Sequence, residues 1–432
     1  MSVTAWLAVA VFAGAYVLIA TEWVHRVAVA LGGAVLMLLL GATDAEHAFF
    51  SEEAGVDWNV IFLLIGMMLI VAVLKRTGVF EYLAIWAAKR ARGQPFRVMV
   101  ILVLVTAVAS ALLDNVTTVL LIAPVTFLVC QRLGVPVAPY LIAEAMASNI
   151  GGAATLVGDP PNIIIASRGN LSYNDFLIHL APIVVLLMVV FIGLCRWLFR
   201  DAFGYDSERA ATVMTLRERD AIKDGRLLVI SMAVLTVVTG AFVLHTVLHL
   251  EPSVIALVGG LVLLVASRLD ATEVAGDVEW PTLVFFAGLF VMVGALVHTG
   301  VIDQLAQAAI DATEGRLLFA TTLLLWASAA LSAIIDNIPY VASMSPIVAE
   351  LVHADGSTGQ SQVLWWALAL GADLGGNATA IGASANVVIL GLAERAGRRI
   401  SFWEFTRYGL IVAAITVGIC VPYLWLRYFA LT

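Results

Sequence analysis

Charge is scarce in this chain: Asp, Glu, Lys and Arg make up only 12% of its 432 residues, about half the roughly 25% of ordinary soluble proteins. A water-facing globular surface is thereby excluded. Cysteine is scarce too, and Cys130, Cys195 and Cys420 lie far apart inside apolar runs. With no ligand spacing among them they read as small packing residues, neither a disulfide framework nor a metal site. No Gly-x-x-x-x-Gly-Lys-Ser/Thr phosphate loop is present, so any ATPase is a separate subunit. There is no basic block either, although the net charge is −8, which leaves nothing to grip nucleic acid or an acidic lipid patch.

What is abundant is hydrocarbon. Hydrophobic residues make up 62% of the chain, and long apolar stretches recur, among them Val3 to Ala20, Val27 to Leu40, Val60 to Leu74, Phe176 to Leu198 and Leu227 to Leu244. Spanning a bilayer takes about 20 such residues, so the chain reads as an all-α polytopic membrane protein of the cytoplasmic (inner) membrane, with the lipid bilayer as its main partner. The first stretch lacks a basic leader and a small-residue cleavage site, and is expected to remain as a helix.

The sequence repeats itself. Asp57-Trp58, Gly66, Thr77-Gly78 and Glu81 recur 222 positions later as Glu279-Trp280, Gly288, Thr299-Gly300 and Asp303. The same offset carries Ser110, Asp114-Asn115 and Pro124 onto Ser332, Asp336-Asn337 and Pro346. An offset of 224 carries Asn149-Ile150-Gly151-Gly152, Thr155, Gly158 and Asn162 onto Asp373-Leu374-Gly375-Gly376, Thr379, Gly382 and Asn386. Repeat one is expected over 1–200, with a hairpin at 98–132 and a broken helix at 138–167. A cytoplasmic linker follows at 201–226. Repeat two is expected over 227–432, with its hairpin at 317–351 and its broken helix at 363–394.

Each half reads as three spans, a re-entrant hairpin of two short arms, a Gly-interrupted helix and a last span. Counted this way a half makes five crossings, and an odd number inverts the second copy. Charge supports that topology. Loop 41–57 carries Asp44, Glu46, Glu52, Glu53 and Asp57 without Lys or Arg, which places it outside. Lys75, Arg76, Lys89, Arg90, Arg92 and Arg97, then Arg196, Arg200, Arg209, Arg217, Arg219, Lys223 and Arg226, then Arg395, Arg398 and Arg399, all fall on the cytoplasmic side of this scheme. Both termini are then extracytoplasmic, and the two hairpins enter from opposite faces.

Chemistry is expected where polar residues interrupt these spans. Asp114, Asn115 and Thr117 form one hairpin tip, and Asp336 and Asn337, followed by Pro339, form the other. Non-helical backbone at membrane depth survives only where it lines a cavity or is buried in protein, and a carboxylate there is expensive and usually functional. Capping of the following helix is a second role for both aspartates. The first broken helix contributes Asn149, Thr155, Asp159 and Asn162, with Pro160 and Pro161 set to restart it. The second contributes Asp373, Asn377, Thr379, Ser384 and Asn386. Asn149 and Asp159 are read as standing where the second half has Asp373 and Ser384. The proton-coupling candidates are Asp114, Asp159, Asp336 and Asp373, with Glu144 as a further carboxylate. His245, His249 and His298 read as interfacial. No catalytic residue, metal site or cofactor is expected beyond H+ or Na+ as the coupling ion.

The stretch Leu113-Asp114-Asn115-Val116-Thr117-Thr118, with Ala147 to Thr155 and Gly158-Asp159-Pro160-Pro161-Asn162, resembles the ion transporter superfamily. It is most similar to the arsenite permease and sodium/proton antiporter branch, which also contains the melanosomal P protein. The resemblance implies a scaffold domain and a transport domain that moves as an elevator. Carboxylate-transporting relatives carry Ser-Asn-Thr at the hairpin tips. The tips here depart from that pattern, which argues against a dicarboxylate. The leading expectation is proton-coupled efflux of arsenite or antimonite, whose neutral acid suits Asn, Thr and freed backbone groups. Sodium/proton antiport comes second and uptake of a small carboxylate or inorganic anion third. A homodimer is compatible with all three.

Overall fold

The computed structural model describes residues 2–21, 23–51, 54–215, 217–313, 315–354 and 359–431; Glu52 and Glu53 of the acidic loop lie outside these. Helix is the regular secondary structure of the described residues. In order the α-helices are α1 (Val3–Thr21), α2 (Arg26–Leu39), α3 (Ala45–Phe50), α4 (Trp58–Arg76), α5 (Val79–Arg90), α6 (Pro95–Leu112), α7 (Asn115–Leu133), α8 (Ala138–Gly152), α9 (Pro160–Gly169), α10 (Tyr173–His179) and α11 (Ala181–Leu198). They continue as α12 (Ser207–Met214), α13 (Gly225–Leu248), α14 (Pro252–Ser267), α15 (Ala271–Gly276), α16 (Trp280–His298), α17 (Val301–Thr313), α18 (Leu317–Ser332), α19 (Asn337–Ala354), α20 (Val363–Gly375), α21 (Ser384–Arg395) and α22 (Phe402–Trp425).

Eight helices among the described residues are long and apolar enough to cross a membrane: α1, α4, α6, α7, α11, α13, α16 and α22 with its short extension. Their burial sorts them. The apolar window of α16 is 72% buried and that of α4 is 67%, against 22% for α1 and 28% for α13. A soluble protein does not leave whole faces of Val, Leu and Trp uncovered; lipid is the solvent that permits it.

Lipid tails are as apolar as leucine, so close van der Waals packing holds such helices together, and small residues mark where backbones meet. A Cβ on Gly66 of α4 would lie 2.3 Å from the Ala256 carbonyl carbon of α14, and one on Gly288 of α16 would lie 2.8 Å from that of Ala30 in α2. These crossings build one body from α1, α2, α4, α13, α14 and α16. A second bundle forms where α6 packs on α8, α18 on α20, α7 on α21 and α9 on α19.

Two expectations change. Both arms of the first hairpin are longer than the apolar run alone suggests, because α7 continues through Gln131 and Arg132 to a left-handed Gly134 cap and α6 begins at Pro95. The run from Phe176 to Leu198 is two helices, separated at Leu180 before Pro182. The chain also has two chemically distinct ends. At one, Arg76 pairs with Glu273 (2.7 Å) and Asp277 (3.0 Å), and the Lys223 amide donates to the Thr77 carbonyl (2.9 Å). At the other, the rings of His47 and His298 lie 4.6 Å apart, and the Trp58 indole donates to the Phe49 carbonyl (2.9 Å).

Candidate functional site

Both broken helices are fastened to their hairpins by the same bonds. Ser110 donates to the Ser148 carbonyl and Ser332 to that of Ala372, each at 2.7 Å. Thr155 donates to the Ala111 carbonyl at 2.6 Å and Thr379 to that of Ala333 at 2.5 Å. Inside each break an asparagine amide closes the loop: Asn162 donates to the carbonyls of Gly152 (3.4 Å) and Thr155 (3.0 Å), and Asn386 to those of Gly376 (2.8 Å) and Thr379 (2.9 Å). These bonds satisfy carbonyls freed where a helix stops in a waterless interior. Glycine is required there because a Cβ on Gly158 would lie 2.4 Å from the Gly152 oxygen, and one on Gly382 would lie 2.7 Å from that of Gly376.

The hairpin tips converge on the first break. Asp159 is fully buried at the N-cap of α9. Its carboxylate accepts the Asn115 amide at 2.8 Å and the Asn337 amide at 3.3 Å, one from each tip. Asn115 also donates to Asn149 (3.1 Å), which donates in turn to the side-chain oxygens of Asn377 (3.0 Å) and Asn386 (3.1 Å). One polar chain thus joins both hairpins and both broken helices. Asp373 lies near it, within electrostatic reach of Asp159 and beside Asn162. Both Asp373 carboxylate oxygens are buried without a hydrogen-bond partner, as are the Asn115 and Asn162 side-chain oxygens and the Asn377 amide nitrogen.

Asp114 and Asp336 stand apart from this core, on a cavity of about 530 Å³ that also touches Arg26, Glu279, Pro160 and Ser384. Asp114 caps α7 through the Thr117 amide (2.7 Å). Asp336 accepts the Ile338 amide (3.3 Å) and the Ser384 hydroxyl. A second cavity of about 400 Å³ lies against Asn59, Ser167, Asn170, His245 and Ser253. The first broken helix reaches both: Pro160 lines the first cavity, Leu156 and Ile163 the second. Glu144 is buried on α8 and accepts the Thr126 hydroxyl.

One pairing from the repeat needs correction. Asp159 is the N-cap of α9 and Ala383 that of α21, so the counterpart of Asp159 is Ala383 and that of Ser384 is Pro160. The carboxylates are therefore unevenly shared. The tip aspartates are paired by the repeat, whereas Asp159 and Asp373 each belong to one half alone. Arg26 and Glu279 were not legible as site residues, because both sit at helix starts far from the polar breaks in sequence. Their only signal was charge at the edge of a span.

Replacing Asp114 with serine keeps a capping oxygen and removes the charge, so stability should change by under about 1 kcal/mol while transport falls. Thermal unfolding and vesicle flux on the same preparation check this. Wild-type flux would reduce Asp114 to a cap.

A buried polar network spanning broken helices, flanked by cavities and set in lipid-facing helices, is the architecture of a multi-pass membrane transporter, the class that the relatives' names also give. More particularly, the chain belongs to the citrate transporter family, whose model matches residues 16–371. It is 57% identical to a protein named an uncharacterized transporter from Mycobacterium bovis, covering 98% of this chain and 99% of that one. It is 55% identical to a 46 kDa membrane protein of Mycobacterium leprae, covering 99% of each. Human P protein is 34% identical over 96% of this chain and 59% of its own length. The fold is similar to that of the Alcanivorax borkumensis YdaH transporter, with a TM-score of 0.55, 15% identity and 85% of each chain covered.

Proposed function

We propose that the chain is a cation-coupled secondary transporter of the arsenite permease and sodium/proton antiporter branch, with sodium/proton exchange as its activity. The observation that carries this reading is the buried pair Asp159 and Asp373, neither of which meets a Lys or Arg among the described residues. Several kcal/mol oppose burying an uncompensated carboxylate, which calls for a proton or a cation in place of the missing partner. Oxygens of Asp373 and Asn162 are the hard ligands Na+ prefers, and an aspartate that alternates between Na+ and H+ is an exchanger's minimal device.

The cavity favours cations over free citrate or another small carboxylate. Asp114, Asp336 and Glu279 face it, and its one guanidinium, Arg26, is engaged by Asp336. Proton-coupled arsenite or antimonite efflux is the second reading, favoured by the neutral side-chain amides of Asn115, Asn149, Asn377 and Asn386 beside the carboxylates.

An elevator motion with inverted repeats suits this geometry. Hairpins and broken helices pack as one bundle against the body built on α4 and α16. The base of the first hairpin, at Gly134, touches Arg209 of the linker, while the second hairpin follows α17 from the far end of α16. The 530 Å³ cavity lies at the end of α2 and α16 shared with Arg76. By the positive-inside rule this end is cytoplasmic, so the conformation is inward-facing and both termini are outside.

In vesicles with an imposed pH gradient, addition of Na+ should dissipate the gradient and addition of arsenite should not. Arsenite dissipating it alone would reverse the order of the two readings. No response to either would overturn both.

A further inference from the structure

We propose that Arg26 is a tethered counter-cation that occupies Asp336 in this conformation and competes there with a cation on its way from the cavity to the buried Asp159 and Asp373. The inference rests on the cation reading of the site and names a residue that regulates it. Arg26 begins α2, in the body with α16, where its guanidinium lies over the Phe285 ring at 5.5 Å. Asp336 and Ser384 belong to the second hairpin and the second broken helix. The Arg26 Nη1 donates to Ser384 Oγ at 3.0 Å and lies 3.6 Å from Asp336 Oδ2. Ser384 donates to that same aspartate oxygen.

Three features make this more than an incidental surface pair. Arginine cannot shed its proton at any working pH, so Arg26 is a permanent charge at a site where other cations come and go. Both partners reach the cavity, with side chains 38% and 18% exposed, so they can separate into water without stranding a buried charge. The arrangement is also unique to one copy: Asp114 shows no basic partner among the described residues, and its half has Pro160 where Ser384 stands. The other charged or titratable groups on this cavity are His25, Asp114 and Glu279.

The consequence is mechanical as well as electrostatic. An unloaded Asp336 is neutralised by a residue of the other body, which ties the second hairpin to α2. A proton or Na+ on Asp336 releases that tie. The device links occupancy of the site to freedom of the bundle, the coupling an exchanger needs to suppress movement when partly loaded.

The test is thermal unfolding of purified protein in detergent, titrated with NaCl at constant ionic strength and, without Na+, titrated with pH. Arg26→Gln should lower the half-saturating cation concentration about fivefold, the equivalent of one partly exposed ion pair. Arg26→Lys should stay within about threefold of wild type. In an Asp336→Asn background, Arg26→Gln should have no effect. If wild type responds to cations and Arg26→Gln responds equally or more weakly, the counter-cation role is overturned and the cation site stands. An effect that persists without Asp336 places Arg26 on another group and also overturns it. If wild type responds to neither Na+ nor protons, the cation reading fails and this inference with it.

Discussion

Asp373→Asn should abolish coupled transport while leaving the protein folded, with a loss on the order of 100-fold, the equivalent of about 3 kcal/mol for a charged ligand. The fold has already accepted asparagine in this environment, since Asn149 is the corresponding residue of the first repeat. Shape and burial are conserved by the change. What disappears is a carboxylate beside an Asn162 amide that is given to the Gly152 and Thr155 carbonyls, so the variant removes a cation ligand at little cost in hydrogen bonding. Its thermal stability in Na+-free buffer should equal or exceed that of wild type, because an uncompensated buried charge has gone. Flux in vesicles and unfolding in detergent, measured together, check both halves. A variant that transports normally would show that Asp373 neither binds the ion nor carries the proton. A variant that unfolds would show that the carboxylate is held by structure.

Gly375→Ala is expected to damage the transport bundle itself. A Cβ at Gly375 would stand 2.5 Å from both the Cα and the carbonyl oxygen of Ala329, across the crossing of α20 and α18. Backbone cannot retreat as a flexible side chain can, and overpacking of this kind costs about 1–3 kcal/mol or more. The hairpin and the broken helix would part by some tenths of an ångström at the place where Ser332 and Thr379 fasten them, so transport should fail along with stability. Gly32→Ala is the control. Gly32 lies inside α2 with nothing within 4 Å of its missing Cβ, and alanine there should gain up to about 1 kcal/mol from helix propensity. Equal unfolding temperatures for the two variants would disprove the close contact.

Several residues of the hairpin tips and breaks are legible in the sequence because the repeat displays them twice. Asn115 with Asn337, and Thr155 with Thr379, stand at constant offsets between apolar runs. Asn162 with Asn386 and the glycine pairs do the same; the Thr155/Thr379 and Asn162/Asn386 pairs make matching bonds, whereas Asn115 and Asn337 both turn to Asp159 of the first half. Repetition failed where the copies had diverged. Asp159 reads as the match of Ser384, one position out of register, because each is the first polar residue after the last glycine of its break, Gly158 or Gly382. Only the helix starts at Pro160 and Ser384 exposed the slip.

The sequence by itself determined the lipid setting and the helical class, and it marked where polar residues interrupt the apolar runs. Those depend on local properties: hydrophobic length, proline's missing donor, glycine's missing side chain, and charge at span ends. Tertiary structure alone decided which carboxylates share a space. Asp159 gathers both hairpin tips, Asp373 stands unpartnered beside Asn162, and Arg26 crosses from another body to Asp336 over 310 positions of chain. Electrostatic partnership depends on distance in space, which hydropathy and spacing do not encode. The opposition of a fixed arginine to a movable cation therefore became visible only once the helices were packed.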